Sequence, residues 1–356
     1  TELNERSIRL AGILQSKYAI EVSDKIAVRI PKSTDYIAVL LGVLKCGGAY
    51  IPIDSSYPDD RVEYILKDSG AKYFISDEAC NFDFPFINVI ELTSNLAVDD
   101  LFTAPKYNIS QSFYAIYTSG STGQPKGVEV LNESFLNLIN WYIKELSIDS
   151  SEKVLFLASS GFDLAQKNIF STFLSGAELF LDEALVEDFG LSLETINSEG
   201  LSLLNCAPSV FNALIDNCEG KGASLELKKL VLGGEVISKE KVRPWLEGGE
   251  GRVLYNSYGP TECTDVTNYY RVDKYIIQSE NEILLGESID NVETFIVDSK
   301  NSIVPINCSG EILLGGVCVS NGYLNRPELT AEKFIDHPYK PGEKLYKTGD
   351  LGRWLP

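Results

Sequence analysis

Residues 117–130 read YTSGSTGQPKGVEV. From Thr118 to Pro125 every residue except Gln124 is small, hydroxylated or turn-forming, and a single cation, Lys126, follows. Glycine lets backbone approach a ligand closely and adopt positive φ. Successive exposed N–H groups then make an anion-binding concavity, and Ser and Thr hydroxyls add donors that rotate into place. This is chemistry for holding a polyphosphate. It is not the common P-loop, which closes on Gly-Lys-Ser/Thr, because Lys126 stands between Pro125 and Gly127. The alternative is a flexible Gly/Ser linker. Against it stand the Pro-Lys-Gly and the direct run into a strand-like, β-branched Val128-Glu129-Val130.

Outward from that loop, strand and helix patterns alternate. Leu10, Ile13 and Leu14 sit at helical spacing in 4–17. The run 25–30 is β-branched, 33–45 reads as a helix ended by Gly47-Gly48, and 49–53 as a buried strand. Residues 57–69 read as a helix, 71–76 as a strand, 134–146 as a helix, 154–157 as a strand and 167–174 as a helix. Such alternation predicts a mostly parallel sheet with helices on both faces, and the ligand of such a sheet lies at the carboxyl ends of its strands. From about Thr267 the pattern changes to short strands, 282–286, 294–297 and 311–314, with a helix only at 330–334. That predicts a separate small β unit.

At 356 residues the chain calls for two or three packed units. The net charge of −20 argues against wrapping nucleic acid, which needs a basic face. No run approaches the ~18 to 20 apolar residues of a membrane helix. The start, TELNERSIRL, lacks the order of a secretory signal. Seven cysteines at irregular spacing show no metal or disulfide pattern. Cys46, Cys206 and Cys263 read as reduced, which suggests the cytoplasm. The absence of methionine, even at position 1, reads as an excised piece of a longer chain or as modified methionines left out of the sequence.

Six ordered blocks then resemble the adenylation domain of non-ribosomal peptide synthetases, within the adenylate-forming superfamily of acyl-CoA ligases and luciferases. They are LKCGGAYIPID (44–54), the phosphate loop, GFDLAQKN (161–168), NSYGPTE (256–262), GEILLGG with NGYLNRPELTAEKF (310–334), and YKTGDLGRW (346–354). The resemblance implies an α/β fold of two doubly wound αβα lobes plus a small distorted β-barrel subdomain. The first lobe would be 23–189, the second 1–22 with 190–266, and the barrel-like part 267–356. By the same resemblance, an upstream segment, the hinge and the C-terminal lid fall outside this sequence, and the lid carries the family's adenylation-step lysine. Ser320-Asn321 stands where the family usually has Ala-Arg, and no function is attached to it.

The family's reaction joins an amino-acid carboxylate to ATP, releases pyrophosphate and passes the acyl group to a phosphopantetheine thiol on a carrier domain. Positioning and electrostatics supply much of the rate in such chemistry. By resemblance Thr118, Ser119, Gly120, Ser121, Thr122 and Gly123 would cradle the phosphates with Lys126. Glu262 would hold Mg²⁺, which prefers few carboxylates plus phosphate oxygens, unless it is a surface glutamate. Tyr258 would stack on adenine, with Asn256 or the Gly234-Glu235 turn at its edge and Gly259 and Thr261 nearby. Asp350 would accept the ribose hydroxyls. The alternatives are a core aromatic for Tyr258 and a turn aspartate for Asp350.

Asp163, after Phe162, would pair with the substrate's α-ammonium, or cap the helix that follows. The family's pocket positions fall on Asp163, Leu164, Lys167, Asn205, Val231, Gly233, Ser257, Asp265 and Val266. That polar lining suggests a polar or acidic amino acid such as Glu, Gln or Asn. A buried Lys167 needs a partner, either an acidic substrate or Asp265; otherwise it points to solvent. His337, the single histidine, lies before Pro338 and reads as surface. Ala331 matches the position that a small MbtH-like accessory protein contacts in some relatives. Two other readings stand beside this one: a stand-alone acyl-CoA or D-alanyl carrier-protein ligase, and a non-catalytic module that binds nucleotide or a partner protein.

Overall fold

The computed structural model describes residues 2–78, 82–94, 102–106, 108–118, 124–181, 183–217, 225–279 and 282–356. The chain divides into two compact units. The first takes 1–135, 159–162 and 320–327, and the second 136–158, 163–319 and 328–356.

The first unit holds a six-stranded sheet in the order Phe86–Asn88, Tyr73–Ser76, Lys25–Arg29, Ala49–Pro52, Ser112–Thr118, Lys126–Leu131. Five strands run parallel, and the sixth returns antiparallel to the fifth. The central strands, KIAVR and AYIP, carry apolar residues on both faces, as a strand covered on both sides must. Ser33 caps helix Thr34–Lys45, its Oγ accepting the Tyr36 N–H at 3.2 Å. Helix Glu2–Ser16 lies against that helix: Lys45 Nζ donates to Asn4 Oδ1 at 2.6 Å and to Ser7 Oγ at 2.7 Å. Residues 1–22, expected with 190–266, therefore belong to the first unit.

The second unit holds a seven-stranded sheet in the order Glu287–Ser288, Asn268–Val272, Val253–Tyr258, Lys229–Gly233, Leu203–Cys206, Lys153–Leu155, Glu178–Phe180. The last five are parallel and the first two antiparallel. Its core gathers Leu155, Leu204, Phe211, Leu230, Trp245 and Leu254. Two expectations change here. Strands Lys153–Leu155 and Glu178–Phe180, expected in the first lobe, pair next to Leu203–Cys206. Asn268–Val272, expected in the small β unit, pairs with Val253–Tyr258 through Asn256 and Tyr270. The reason is common to both: neighbours in a sheet are set by register, which a linear pattern does not carry.

A four-stranded antiparallel sheet completes the second unit, in the order Val292–Val297, Gly310–Gly316, Lys344–Gly352, Phe334–Asp336. Residues 282–286 form no strand there; the short strand is Glu287–Ser288. His337 is a further correction. It is buried, not surface: its Nδ1 accepts the Tyr339 N–H at 3.1 Å, its Nε2 lies 3.5 Å from Glu293 Oε2, and Phe295 meets its ring edge-on. No described helix is long and apolar enough to cross a membrane.

Candidate active site

In the second unit the predicted residues collect at the carboxyl ends of parallel strands, where an α/β sheet binds its ligand. Gly233 ends one strand, Tyr258 ends the next, and helix Asp163–Ser175 follows the strand Lys153–Leu155. Asp163 opens that helix with only 9% of its surface exposed. Its Oδ1 accepts the Leu164 N–H at 2.9 Å, and its Oδ2 accepts the Thr261 hydroxyl at 2.5 Å. It serves the helix start and faces the 261–265 turn at once. Burial, reinforced by the charge of Asp265, pushes its carboxyl up to about 6, against the pull of Thr261 and Lys167.

One helical turn on, Lys167 is fully buried, so it does not point to solvent. Its Nζ lies 2.5 Å from Asp265 Oδ2 and 5.9 Å from the centre of the Tyr142 ring. Burial raises Asp265 above the ordinary carboxylate range, with Lys167 opposing. Asn205 packs beside this pair's helix, its Nδ2 donating to Leu164 O at 2.9 Å and Asn168 Oδ1 at 3.0 Å. Among the described residues, the buried Asn205 Oδ1 and Tyr142 hydroxyl meet no hydrogen-bond partner. Val231 and Val266 are buried, and Ser257 Oγ donates to Leu232 O at 3.1 Å beside Gly233.

The backbone that delivers Asp265 is strained. Thr264 and Asp265 adopt φ of 58° and 68°, a left-handed pair that a β-branched threonine rarely enters. Thr264 Oγ1 holds the turn by donating to Cys318 O at 2.8 Å. Gly259 is required here by close approach: a Cβ on it would stand 2.3 Å from Asp265 O. Sequence reading missed this turn.

Tyr258 is half-buried rather than a core aromatic, and its hydroxyl donates to the exposed Asp350 at 2.7 Å. Burial and Asp350 raise the Tyr258 phenol well above its ordinary value. Tyr258 also borders a cavity of about 790 Å³, lined by Glu145, Tyr269 and Arg353, that contains none of the other predicted residues. Asn256 Nδ2 donates to Leu284 O at 2.7 Å. Gly234 turns with φ +84°, and Glu235 accepts the Ser209 N–H and hydroxyl, both at 2.9 Å, at the start of helix Pro208–Asp216. Glu262 is buried on the short 3₁₀ turn Thr261–Cys263, not a surface glutamate. Among the described residues no three His, Cys, Asp or Glu cluster as a metal cage. A lone carboxylate of this kind fits Mg²⁺ completed by phosphate oxygens and water.

In the first unit, Thr118 ends its strand paired with Lys126 across the hairpin. Ser119, Gly120, Ser121, Thr122 and Gly123 lie outside the described residues. Lys126 Nζ sits 3.3 Å from the Tyr323 hydroxyl and 4.5 Å from that ring's centre. Phe162 is exposed, and the segment before it is pinned by Asp54, which accepts the Ser159 hydroxyl and the Ser160 N–H. Despite burial, those donors and Ser56 hold Asp54 below its ordinary value. Asp54 stood in a motif block with no role assigned to it. Its place next to Ser56 in a turn was the available signal. Among the described cysteines Cys46, Cys206, Cys263 and Cys318 are buried and free, and burial pushes the Cys46 thiol up to about 11.

The family model described as AMP-binding enzyme matches residues 1–324. Gramicidin S synthase 2 of Aneurinibacillus migulanus is 35% identical over 99% of this chain and 8% of its own length. Tyrocidine synthase 1 of Brevibacillus parabrevis is 31% identical over 99% of this chain and 32% of its own. The chain thus spans less than a third of the length of these relatives. Among solved structures, the nonribosomal peptide synthetase FmoA3 is similar at 26% identity and a TM-score of 0.91, over 100% of this chain and 38% of that one. The N-terminal subdomain of Klebsiella oxytoca NpsA, in complex with 3-hydroxybenzoyl-AMSN, shares the fold at 23% identity and a TM-score of 0.89, over 99% and 90% of the two chains. The chain belongs to the family of AMP-binding enzymes and is homologous to the adenylation domains of peptide synthetases.

Proposed function

We infer that the chain activates an amino acid as its aminoacyl adenylate at the expense of ATP, releasing pyrophosphate, for transfer to a phosphopantetheine thiol on a carrier domain. The observation that carries this reading is the buried Asp163 carboxylate, held by the Thr261 hydroxyl and the Leu164 N–H. An ammonium delivered to it gains a charge-assisted bond in a poorly solvated place. A fatty or aryl acid brings no cation and leaves that carboxylate uncompensated. Tyr258 would stack on adenine and Asp350 would take the ribose hydroxyls. Thr118, the 119–123 loop and Lys126 would hold the phosphates. Glu262 would hold Mg²⁺, whose charge would offset that of the triphosphate.

The side chain of the substrate reads as neutral and polar, glutamine or asparagine before glutamate. Lys167 and Asp265 neutralise each other, so a third charge gains little. An amide matches both, its carbonyl accepting from Lys167 and its N–H donating to Asp265 or to Asn205 Oδ1. Pyrophosphate exchange across a panel of amino and carboxylic acids tests the assignment. Exchange confined to acids without an amino group would reject it. A small accessory protein at the exposed helix Pro327–Lys333 belongs to this proposal as well, its test being co-purification with the chain.

A further inference from the structure

The two stems of the phosphate hairpin are joined by side chains as well as by strand pairing. Tyr117, just before the loop, donates its hydroxyl to Asp68 Oδ2 at 3.0 Å. Asp68 Oδ1 accepts from Arg326 Nη2 at 2.7 Å, and the same nitrogen donates to the Tyr64 hydroxyl at 2.9 Å. Tyr64 in turn donates to Pro125 O at 3.0 Å, on the far stem. Each donor of the relay Tyr117–Asp68–Arg326–Tyr64–Pro125 thus meets an acceptor, and Arg326 Nη2 meets two.

The segment that supplies Arg326 is itself laced along the outgoing strand. Asn321 N–H donates to Glu129 O at 3.0 Å, Glu129 N–H to Gly322 O at 3.3 Å, and Leu324 N–H to Gly127 O at 2.8 Å. Gly127 leaves no room for a side chain: its Cβ would stand 2.8 Å from the Tyr117 ring and 3.0 Å from Leu324. Tyr323, between these contacts, meets Lys126. Asn325 Nδ2 donates to Asp68 O, at the end of helix Asp59–Ser69.

We propose that Arg326 is a positioning residue for triphosphate binding, fixing both stems of the hairpin and, through its neighbour Tyr323, the direction of Lys126. This rests on the adenylation reading above. Arg is suited to the task because Nη2 reaches the carboxylate and the hydroxyl while Nη1 donates to Asn325 O at 3.1 Å, three bonds from one rigid plane that a lysine does not reproduce.

The test is pyrophosphate exchange and equilibrium binding of a non-hydrolysable ATP analogue, with wild type, Arg326→Lys, Arg326→Ala and Tyr64→Phe. Loss of a hydrogen bond to a charged group is worth roughly a factor of ten or more. Arg326→Ala should therefore raise the ATP KM and the analogue Kd by about tenfold or more. The amino-acid KM should stay within about twofold, since none of the relay's hydrogen bonds goes to Asp163, Lys167 or Asp265. Tyr64→Phe deletes one hydroxyl, keeps the ring, and should reproduce part of the ATP effect. Arg326→Lys should fall between wild type and alanine. Equal changes in both KM values, or an unchanged analogue Kd in Tyr64→Phe and Arg326→Ala, would overturn the proposal. A wild-type chain that binds no ATP analogue would instead reject the adenylation reading.

Discussion

The ammonium of Lys167 lies 2.5 Å from Asp265 Oδ2, with 0% and 6% of the two side chains exposed. The pair joins a helix to a turn 98 positions away, and the turn reaches it only through two residues in the left-handed region. Backbone strain of roughly 1–3 kcal/mol per residue is retained where the surroundings over-determine it. Here the surroundings are the Thr264–Cys318 bond and the absent side chain of Gly259.

Breaking the pair on one side should cost more than removing it whole. Lys167→Met leaves Asp265 buried and alone, and Asp265→Ala leaves Lys167 alone; each should destabilise by about 3–5 kcal/mol. Lys167→Met with Asp265→Ala should recover most of that loss in urea melts. Asp265→Ala should also shift exchange toward amino acids with a carboxylate side chain, which would then partner Lys167. A double variant no more stable than the singles would show that the two do not act as a pair.

Asp163 gives the pH dependence. Its carboxyl titrates at about 6 in the free protein, and only the ionised form attracts an ammonium. The kcat/KM for the amino acid, which reports the free enzyme, should therefore fall as pH drops through about 6. Stability runs the other way. The folded pKa is raised above the unfolded 3.8, so the folded state holds the extra proton between these values. Stability should decline as pH rises through that window, by about 3 kcal/mol in total. Asp163→Asn should remove this slope, stabilise the unliganded protein at pH 7, and abolish amino-acid-dependent exchange while nucleotide still binds. An unchanged pH profile in Asp163→Asn would remove Asp163 from the recognition role.

Gly259→Ala tests the seat of the turn. The new methyl would stand 2.3 Å from Asp265 O and 2.8 Å from Thr267 N, both backbone atoms that cannot swing away. The turn must move, and Asp265 with it. Amino-acid KM should rise by tenfold or more, given that misplacement by about 1 Å costs up to ~10²-fold. Adding Asp265→Ala should change little further, because the pair is already lost. Full additivity of the two substitutions would place the effect elsewhere.

What the linear sequence shows depends on how local the cause is. The Asp163 position, the 256–262 block and the phosphate loop are short runs whose residue types state their chemistry, and helix Thr34–Lys45 announces itself through Ser33. The Lys167–Asp265 pair was readable only as one option among three, since its geometry depends on a turn that residue type disfavours. His337 read as surface because a following Pro338 suggests a loop, yet Phe295 and Glu293 enclose it from a strand some forty positions upstream. Residues 268–272, counted only by the boundary at 267 with the small β unit, form a strand of the large sheet, where half-buried Tyr269 and Tyr270 leave no alternation to read. The Asp68–Arg326 tie spans 258 positions and no local pattern points to it.

Tyr258 carries two separable contributions, its face and its hydroxyl. The ring offers a stacking surface, worth about 1–3 kcal/mol for a base. The hydroxyl orients Asp350 through the 2.7 Å bond. Tyr258→Phe keeps the face and frees Asp350, so the ATP KM should rise only severalfold, in keeping with about 1 kcal/mol for one hydrogen bond. Tyr258→Ala should cost a further factor of roughly ten through lost stacking. With 2′-deoxy-ATP the Phe substitution should matter less than with ATP, because one of the hydroxyls that Asp350 serves is gone. Equal losses for Phe and Ala would assign the whole effect to the hydroxyl and leave adenine without its platform. Equal losses for the two nucleotides would separate Asp350 from the ribose.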